Sequence, residues 1–285
     1  MRGSSLPTSS GLRSNFPDPS FINSMSTADF SHPRVVTQSR WLAARRALLR
    51  EEKRLTRLHD KLAARRRLLP WVRIRKEYVF ESPAGRVALA DLFAGRSQLI
   101  VQHFMFGPGW KEGCPSCSFM MDHFAGTLVH LAARDVSFAA ISRAPLAEIL
   151  PFKKRMGWNF NWVSSHGTDF NFDFHVSFDP KRATSGKVIY NFIEQKVPNP
   201  EEMPGISVFA RGEDGAIYHT YSTYSRGVEL ILATYQLLDI VPKGRDEDGM
   251  YGMEWLRHHD RYGHSALALG SRSEKVARSR KSRDP

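Results

Sequence analysis

Gly113-Cys114-Pro115-Ser116-Cys117-Ser118 is the stretch on which the reading of this chain turns. It holds both cysteines of a 285-residue sequence, with two residues between them. Upstream, Gln98 to Phe106 reads as a continuous apolar run, as in a strand buried on both faces. The turn-rich Gly107-Pro108-Gly109 follows it. Downstream, helical periodicity runs from Ser116 to about Ala133 through Met120, Phe124, Leu128 and Leu131. Pro115 suits a first helical turn, where its missing N–H costs nothing. A helix N-terminus stabilises a thiolate through unpaired N–H groups and the macrodipole. Cys114 is therefore expected to be the attacking thiolate, and Cys117, one turn inside, the resolving thiol. Such a pair makes a dithiol–disulfide centre on a strand–helix–strand unit. Two other chemistries stay open. Zinc usually needs four ligands, and a lone C-x-x-C supplies two; His103, His123 and His130 do not stand at a common zinc spacing, so no metal and no cofactor is assigned. Two inert buried thiols are the remaining alternative.

Working outward, Trp71 to Phe80 and Arg86 to Phe93 read as strands around a turn at Ser82-Pro83-Ala84-Gly85. Val136 to Ile141 is a strand, Leu146 to Met156 a helix ended by Gly157, and Phe160 to Ser164 a short strand. The alternation of strands and helices is that of an α/β layer with parallel pairing. Ile206 to Arg211 and Ala216 to Ser222 flank Glu213-Asp214-Gly215, a hairpin signal. Gly227 to Leu238 is expected to be a closing helix.

The ends carry the charge. The chain is +12 overall, with 41% hydrophobic and 25% charged residues. Arg34 to Lys76 holds 15 Lys and Arg against three acidic residues, and the tail from Ser271 is basic too, so the stretch between them is mildly acidic. The high pI thus describes appendages and does not argue for a nucleic-acid-binding core. Arg40 to Leu69 reads as one long helix. Trp41, Leu48, Leu55, Leu62 and Leu69 recur every seven residues, with arginines on the other faces, until Pro70 stops it. The absence of aromatics among the charges disfavours nucleic acid. A solvated helix laying its leucine stripe on the domain or on a partner chain fits better, which leaves a homo-oligomer through this helix open. No run of ~18 apolar residues exists, so no membrane span is expected. No export signal is visible, and a cytoplasmic location is expected. The expected organisation is a disordered leader at 1–30, a basic helical segment at 31–70, the folded domain at 71–262 and a basic disordered tail at 263–285.

These residues resemble a thioredoxin-like family known as domain of unknown function 899, described as dithiol–disulfide oxidoreductases. The resemblance runs from about His32 to Tyr262. It rests on His32-Pro33-Arg34-Val35-Val36, Trp41-Leu42-Ala43-Ala44-Arg45, Leu69-Pro70-Trp71-Val72 and Cys114-Pro115-Ser116-Cys117-Ser118-Phe119. It continues in Phe172-Asp173-Phe174-His175-Val176-Ser177-Phe178, Pro204-Gly205-Ile206-Ser207-Val208-Phe209 and Pro242-Lys243-Gly244-Arg245-Asp246-Glu247. The resemblance implies an α/β thioredoxin-like sandwich, a mixed central sheet flanked by helices, with an extra N-terminal basic helix. It also implies that the Met203–Pro204 bond is cis and faces the dithiol. Departures from ordinary thioredoxins are the Pro-Ser dipeptide between the cysteines and the absence of a tryptophan directly before Cys114; Trp110 stands four residues earlier.

Further site-lining candidates follow. Phe170 to Phe178 alternates strictly, which reads as a half-buried strand. A sharper reading lets Asp173 orient His175 as a proton donor near the cysteines. Together with Trp110, Pro115, Ser116, Met203 and Pro204 they make up the expected surroundings of Cys114 and Cys117. His166 and Asp169 form only a loose metal-ligand cluster, and Gly244 to Gly249 reads as a charged turn with salt bridges. The function expected is thiol–disulfide exchange with a thiol or disulfide substrate and an electron donor that the sequence does not name. A peroxiredoxin-type peroxidase and a non-catalytic basic binding or assembly protein are the alternatives.

Overall fold

The structure, a computed structural model, describes residues 34–124, 126–179, 187–197, 201–248 and 253–263. The expected leader and most of the expected tail lie outside the described residues.

The buried run yields β4, Gln98–His103, at the centre of an eight-stranded sheet. Alternate side chains of β4 face opposite layers, as the two-residue period of a strand requires. Leu99 and Val101 enter one core, with Phe80, Ile141, Phe170 and Phe209. Ile100 and Phe104 enter the other, with Cys117, Met120, Phe152 and Trp162. β5, Val136–Ser142, lies parallel to β4 and is reached through two helices, α2, Pro115–Phe124, and α3, Leu128–Ala133. β6, Asn161–Ser164, lies parallel to β5 and follows α4, Leu146–Arg155. On the other side of β4 the hairpin β9, Gly205–Arg211, and β10, Ile217–Tyr224, runs antiparallel. A 3-10 turn and α6, Ala233–Leu238, close the unit. Parallel β4–β5 and antiparallel β9–β10, with a helix after each pair's first or last strand, make a thioredoxin-like α/β sandwich. The edges are finished by β1, Val72–Arg73, against β10 and by the hairpin β2, Val79–Ser82, and β3, Gly85–Ala88, beside β6. A separate hairpin joins β7, Val188–Tyr190, and β8, Ile193–Gln195.

Several expectations change. The helix expected from Ser116 to Ala133 breaks between α2 and α3, where Gly126 sits in a turn. The closing helix begins as a 3-10 stretch, Ser225–Ile231. Trp71 to Phe80 is not one strand but β1 and the start of β2. The alternating Phe170 to Phe178 is not a strand either. Phe170–Asp173 is a helical turn, α5, which brings Phe170 and Phe174 to 4.7 Å in the same core. Aromatics at every second position satisfy both a two-residue and a four-residue repeat, and the i, i+4 pair decides here.

The basic helix is present as α1, Gln38–Arg67, with Thr37 as N-cap accepting the Arg40 N–H. It buries no residue, and Trp41 and Leu55 are 52% and 67% exposed. The leucine stripe therefore does not lie on the domain. Its last turn is the part that touches: the Arg66 guanidinium stands over the Tyr221 ring at 5.6 Å.

Candidate active site

After β4 the chain crosses the end of the sheet and turns into α2 at the cysteines. Two backbone contacts with Met105 fix that turn. The Cys114 N–H donates to the Met105 carbonyl at 3.0 Å, and the Met105 N–H donates to Cys117 Sγ at 3.4 Å. Gly113 is required by space: a Cβ there would come within 2.6 Å of the Phe104 ring and 2.8 Å of the Phe152 ring. A buried histidine holds the same residue from below. His258 Nε2 donates to the Gly113 carbonyl at 2.9 Å, while Arg155 donates to His258 Nδ1 at 3.2 Å. Glu112 receives Arg155 at 2.8 Å and Arg261 at 2.6 Å, and Asp260 receives Arg155 at 2.8 Å. The segment around His258 is thus strapped across the loop that delivers Cys114.

Cys114 is half-buried and Cys117 is fully buried. Cys114 stands just before the first residue of α2, where the first N–H groups of a helix have no intrahelical acceptor. Its sulfur accepts from the Cys117 thiol, from the Ser116 hydroxyl at 3.0 Å and from the backbone N–H groups of Cys117 and Ser116. The Cys117 thiol contributes most, and together these donors hold the Cys114 thiol down to about 6 against the opposing effect of burial. Cys117 moves the other way. Burial, and then its hydrogen bond to Cys114, push its thiol well above the ordinary range. The arrangement separates one sulfur that is mostly thiolate at neutral pH from one that keeps its proton.

The other expected residues divide. Pro115 is the first residue of α2. Ser116, Met203 and Pro204 share with Cys117 a cavity of about 470 Å³ at the start of α2. Trp110 packs against the α2-side core and donates Nε1–H to Glu201 at 3.3 Å. The Met203–Pro204 bond is trans, not cis, since the described residues contain no cis peptide. The Met203 N–H reaches the Val176 carbonyl at 2.8 Å and the Pro204 carbonyl accepts from the Tyr190 hydroxyl at 2.7 Å. Those bonds hold the approach to β9 in the isomer that X–Pro favours anyway. Asp173 does not orient His175 and neither joins the cysteines. Asp173 accepts from Lys76 Nζ at 2.7 Å and from the Tyr78 hydroxyl at 2.8 Å, beside the opposite core. His175 is exposed, with φ 54°, beside Phe172 and Lys187. His123 is engaged by the Thr234 hydroxyl at 2.7 Å and N–H at 3.0 Å. Among the described residues no three His, Cys, Asp or Glu side chains stand together as a metal site. Sequence reasoning missed Gly113 and His258. The only trace of the strap is a polar run, Arg257-His258-His259-Asp260-Arg261, directly after apolar Trp255-Leu256.

Comparison with known proteins gives one family. The family described as "Bacterial protein of unknown function (DUF899)" matches residues 30–262. No curated protein matches. Among solved structures, a mutant of PrxQ from Xylella fastidiosa is 13% identical, covers 56% of this chain and 88% of its own, and has a TM-score of 0.34. Peroxidoxin BcpB from Mycobacterium tuberculosis is 13% identical, with coverages of 59% and 97% and a TM-score of 0.35. A candidate protein disulfide isomerase from Bacteroides thetaiotaomicron is 17% identical, with coverages of 63% and 98% and a TM-score of 0.34.

Proposed function

The chain belongs to the DUF899 family, and from that premise we propose that it is a thiol–disulfide oxidoreductase whose dithiol is Cys114 and Cys117. The observation that carries the reading is the position of Cys114 Sγ, half-buried at the start of α2 with the Ser116 hydroxyl at 3.0 Å and the buried second cysteine one turn inside. Such a sulfur is ionised at neutral pH and is at the same time next to the group that must resolve its product.

The reaction uses these two residues in turn. The Cys114 thiolate attacks one sulfur of a substrate disulfide, forming a Cys114–substrate bond and expelling the other half as a thiolate. The negative charge on Cys114 is then gone, and with it one of the causes that hold the proton on Cys117. Cys117 loses its proton to the departing thiolate or to solvent and attacks Cys114 Sγ. The second substrate half leaves as a thiolate and is protonated. The protein is oxidised to a Cys114–Cys117 disulfide and the substrate is reduced to two thiols. A separate dithiol donor must return the pair to its reduced state.

The test is a redox titration of the full chain in defined thiol–disulfide buffers, read by mass after alkylation. The expected result is loss of two hydrogens in one step, with Cys117→Ser accumulating a mixed disulfide on Cys114 and Cys114→Ser reacting with no disulfide. A pair that stays reduced in the most oxidising buffer overturns the reading.

A further inference from the structure

The cavity beside the dithiol has a composition of its own, distinct from the chemistry of the cysteines. Its volume of about 470 Å³ lies within the range of small-molecule sites, roughly 300–1,000 Å³. It reaches the centre at both Ser116 and Cys117, and its sulfur lining continues through Met120, Met203 and Met253. Methionine side chains are flexible and polarisable, and they accommodate apolar groups of varied shape.

Its charged lining residues, Arg226, Glu229, Arg245 and Glu247, have partners within the protein. Arg226 pairs with Glu229 at 2.9 Å, and Arg245 pairs with Asp239 at 2.7 Å and with Glu229 at 3.4 Å. Glu247 Oε1 accepts from the Tyr235 hydroxyl at 2.8 Å and from Trp255 Nε1 at 2.6 Å. The Tyr190 hydroxyl donates to the Pro204 carbonyl and accepts the Ser225 N–H at 2.9 Å. Each guanidinium thus meets a carboxylate that offsets its charge, which weakens the pull on an anionic ligand, whereas an apolar one displaces only water from the sulfur and aliphatic lining. A concave site of this kind also encloses a small molecule better than the flat flank of a folded protein.

We infer that the cavity selects the disulfide to be reduced, and that this disulfide is a small neutral molecule with apolar arms. The inference rests on the oxidoreductase reading above. One arm lies in the cavity among Met120, Met203 and Met253, and the scissile sulfurs lie at its mouth, at the Ser116 end and within reach of Cys114. The electron balance is that of the exchange already described: two protein thiols become one disulfide, and the small disulfide becomes two thiols.

The experiment is a single-turnover reaction of the pre-reduced full chain with three probes: di-n-butyl disulfide, bis(2-hydroxyethyl) disulfide and glutathione disulfide. Each rate is divided by that of the same probe with a free alkyl thiol, which removes intrinsic reactivity. The butyl probe is expected to lead by about tenfold or more, the effect of burying roughly two methylenes. Met253→Trp, which adds bulk to the cavity lining, is expected to erase that lead. Alkylation of Cys114 by iodoacetamide in the same variant reports whether the thiol and the fold survive. Should that control fail, Met203→Gln, which changes polarity and hardly changes volume, is read instead. Equal normalised rates, a lead for glutathione disulfide, or a butyl preference that survives a correctly folded variant overturn the inference while leaving the oxidoreductase reading intact. Failure of every probe and every oxidising buffer to form the Cys114–Cys117 bond overturns both.

Discussion

The Ser116 hydroxyl is one of the donors that keep the Cys114 sulfur ionised. Ser116→Ala removes it and leaves the backbone donors and the Cys117 thiol in place. A lost donor to the charged form moves a pKa up, so the midpoint of Cys114 alkylation against pH is expected to rise from about 6. An unmoved midpoint would exclude the hydroxyl as a donor. Gly113 works by being small. Gly113→Ala drives a methyl group into the Phe104 and Phe152 rings, and overpacking of this kind costs about 1–3 kcal/mol, measurable as a lower urea midpoint at unchanged m-value. The same substitution is expected to slow alkylation of Cys114, because the loop must move away from His258 to make room. The two cysteines were legible in the sequence because their spacing and the proline between them carry chemistry by themselves. The role of Gly113 is not legible there, since the rings that forbid a Cβ, Phe104 and Phe152, come from β4's exit and from α4 and are adjacent only in space. Asp173 and His175 misled for a related reason: acid and base side chains two apart look like a relay, but the aromatic packing of Phe170 and Phe174 turns the segment away from the thiols.

At the level of elements, α1 is the sharpest contrast between pattern and packing. Its seven-residue leucine repeat was readable from sequence, yet none of its residues is buried in the chain. Removing residues through Arg67 is therefore expected to change the urea midpoint little, at a cost near that of the Arg66–Tyr221 contact, about 0.5–1 kcal/mol. Circular dichroism would lose the helical signal of 30 residues while near-ultraviolet bands of the sheet's aromatics persist. A collapse of those bands would show that α1 supports the sheet. The central strands and the β9–β10 hairpin were legible because burial and turn chemistry agree along them. The short edge strands and the broken helices were not. A two-residue strand such as β1 has no period to read, and its existence depends on β10 offering an edge.

Across the whole molecule, a line of polar groups is embedded in the sheet. His103 Nε2 lies 2.8 Å from the Ser207 hydroxyl, which lies 2.8 Å from that of Ser222, which lies 2.7 Å from His219 Nε2. The chain of bonds joins β4, β9 and β10. Burial, then the proximity of His219, lower His103 to about 3, and burial lowers His219 as well. Between pH 6.5 and 3 the unfolded chain therefore binds a proton at His103 that the folded chain refuses. Stability is expected to fall with acid in that window, by about 1.4 kcal/mol per pH unit for this residue, and to level off below it. Urea unfolding at stepped pH reads the slope, and His103→Gln is expected to flatten it; an unchanged slope would assign the acid sensitivity elsewhere. The strap at His258 has a consequence in time. The bond from His258 to Gly113 spans 145 positions. At about 5–20 residues per second of synthesis, roughly 7–30 s pass between the addition of the two ends. For that interval a nascent chain carries its cysteine loop without the brace that His258 lays against Gly113.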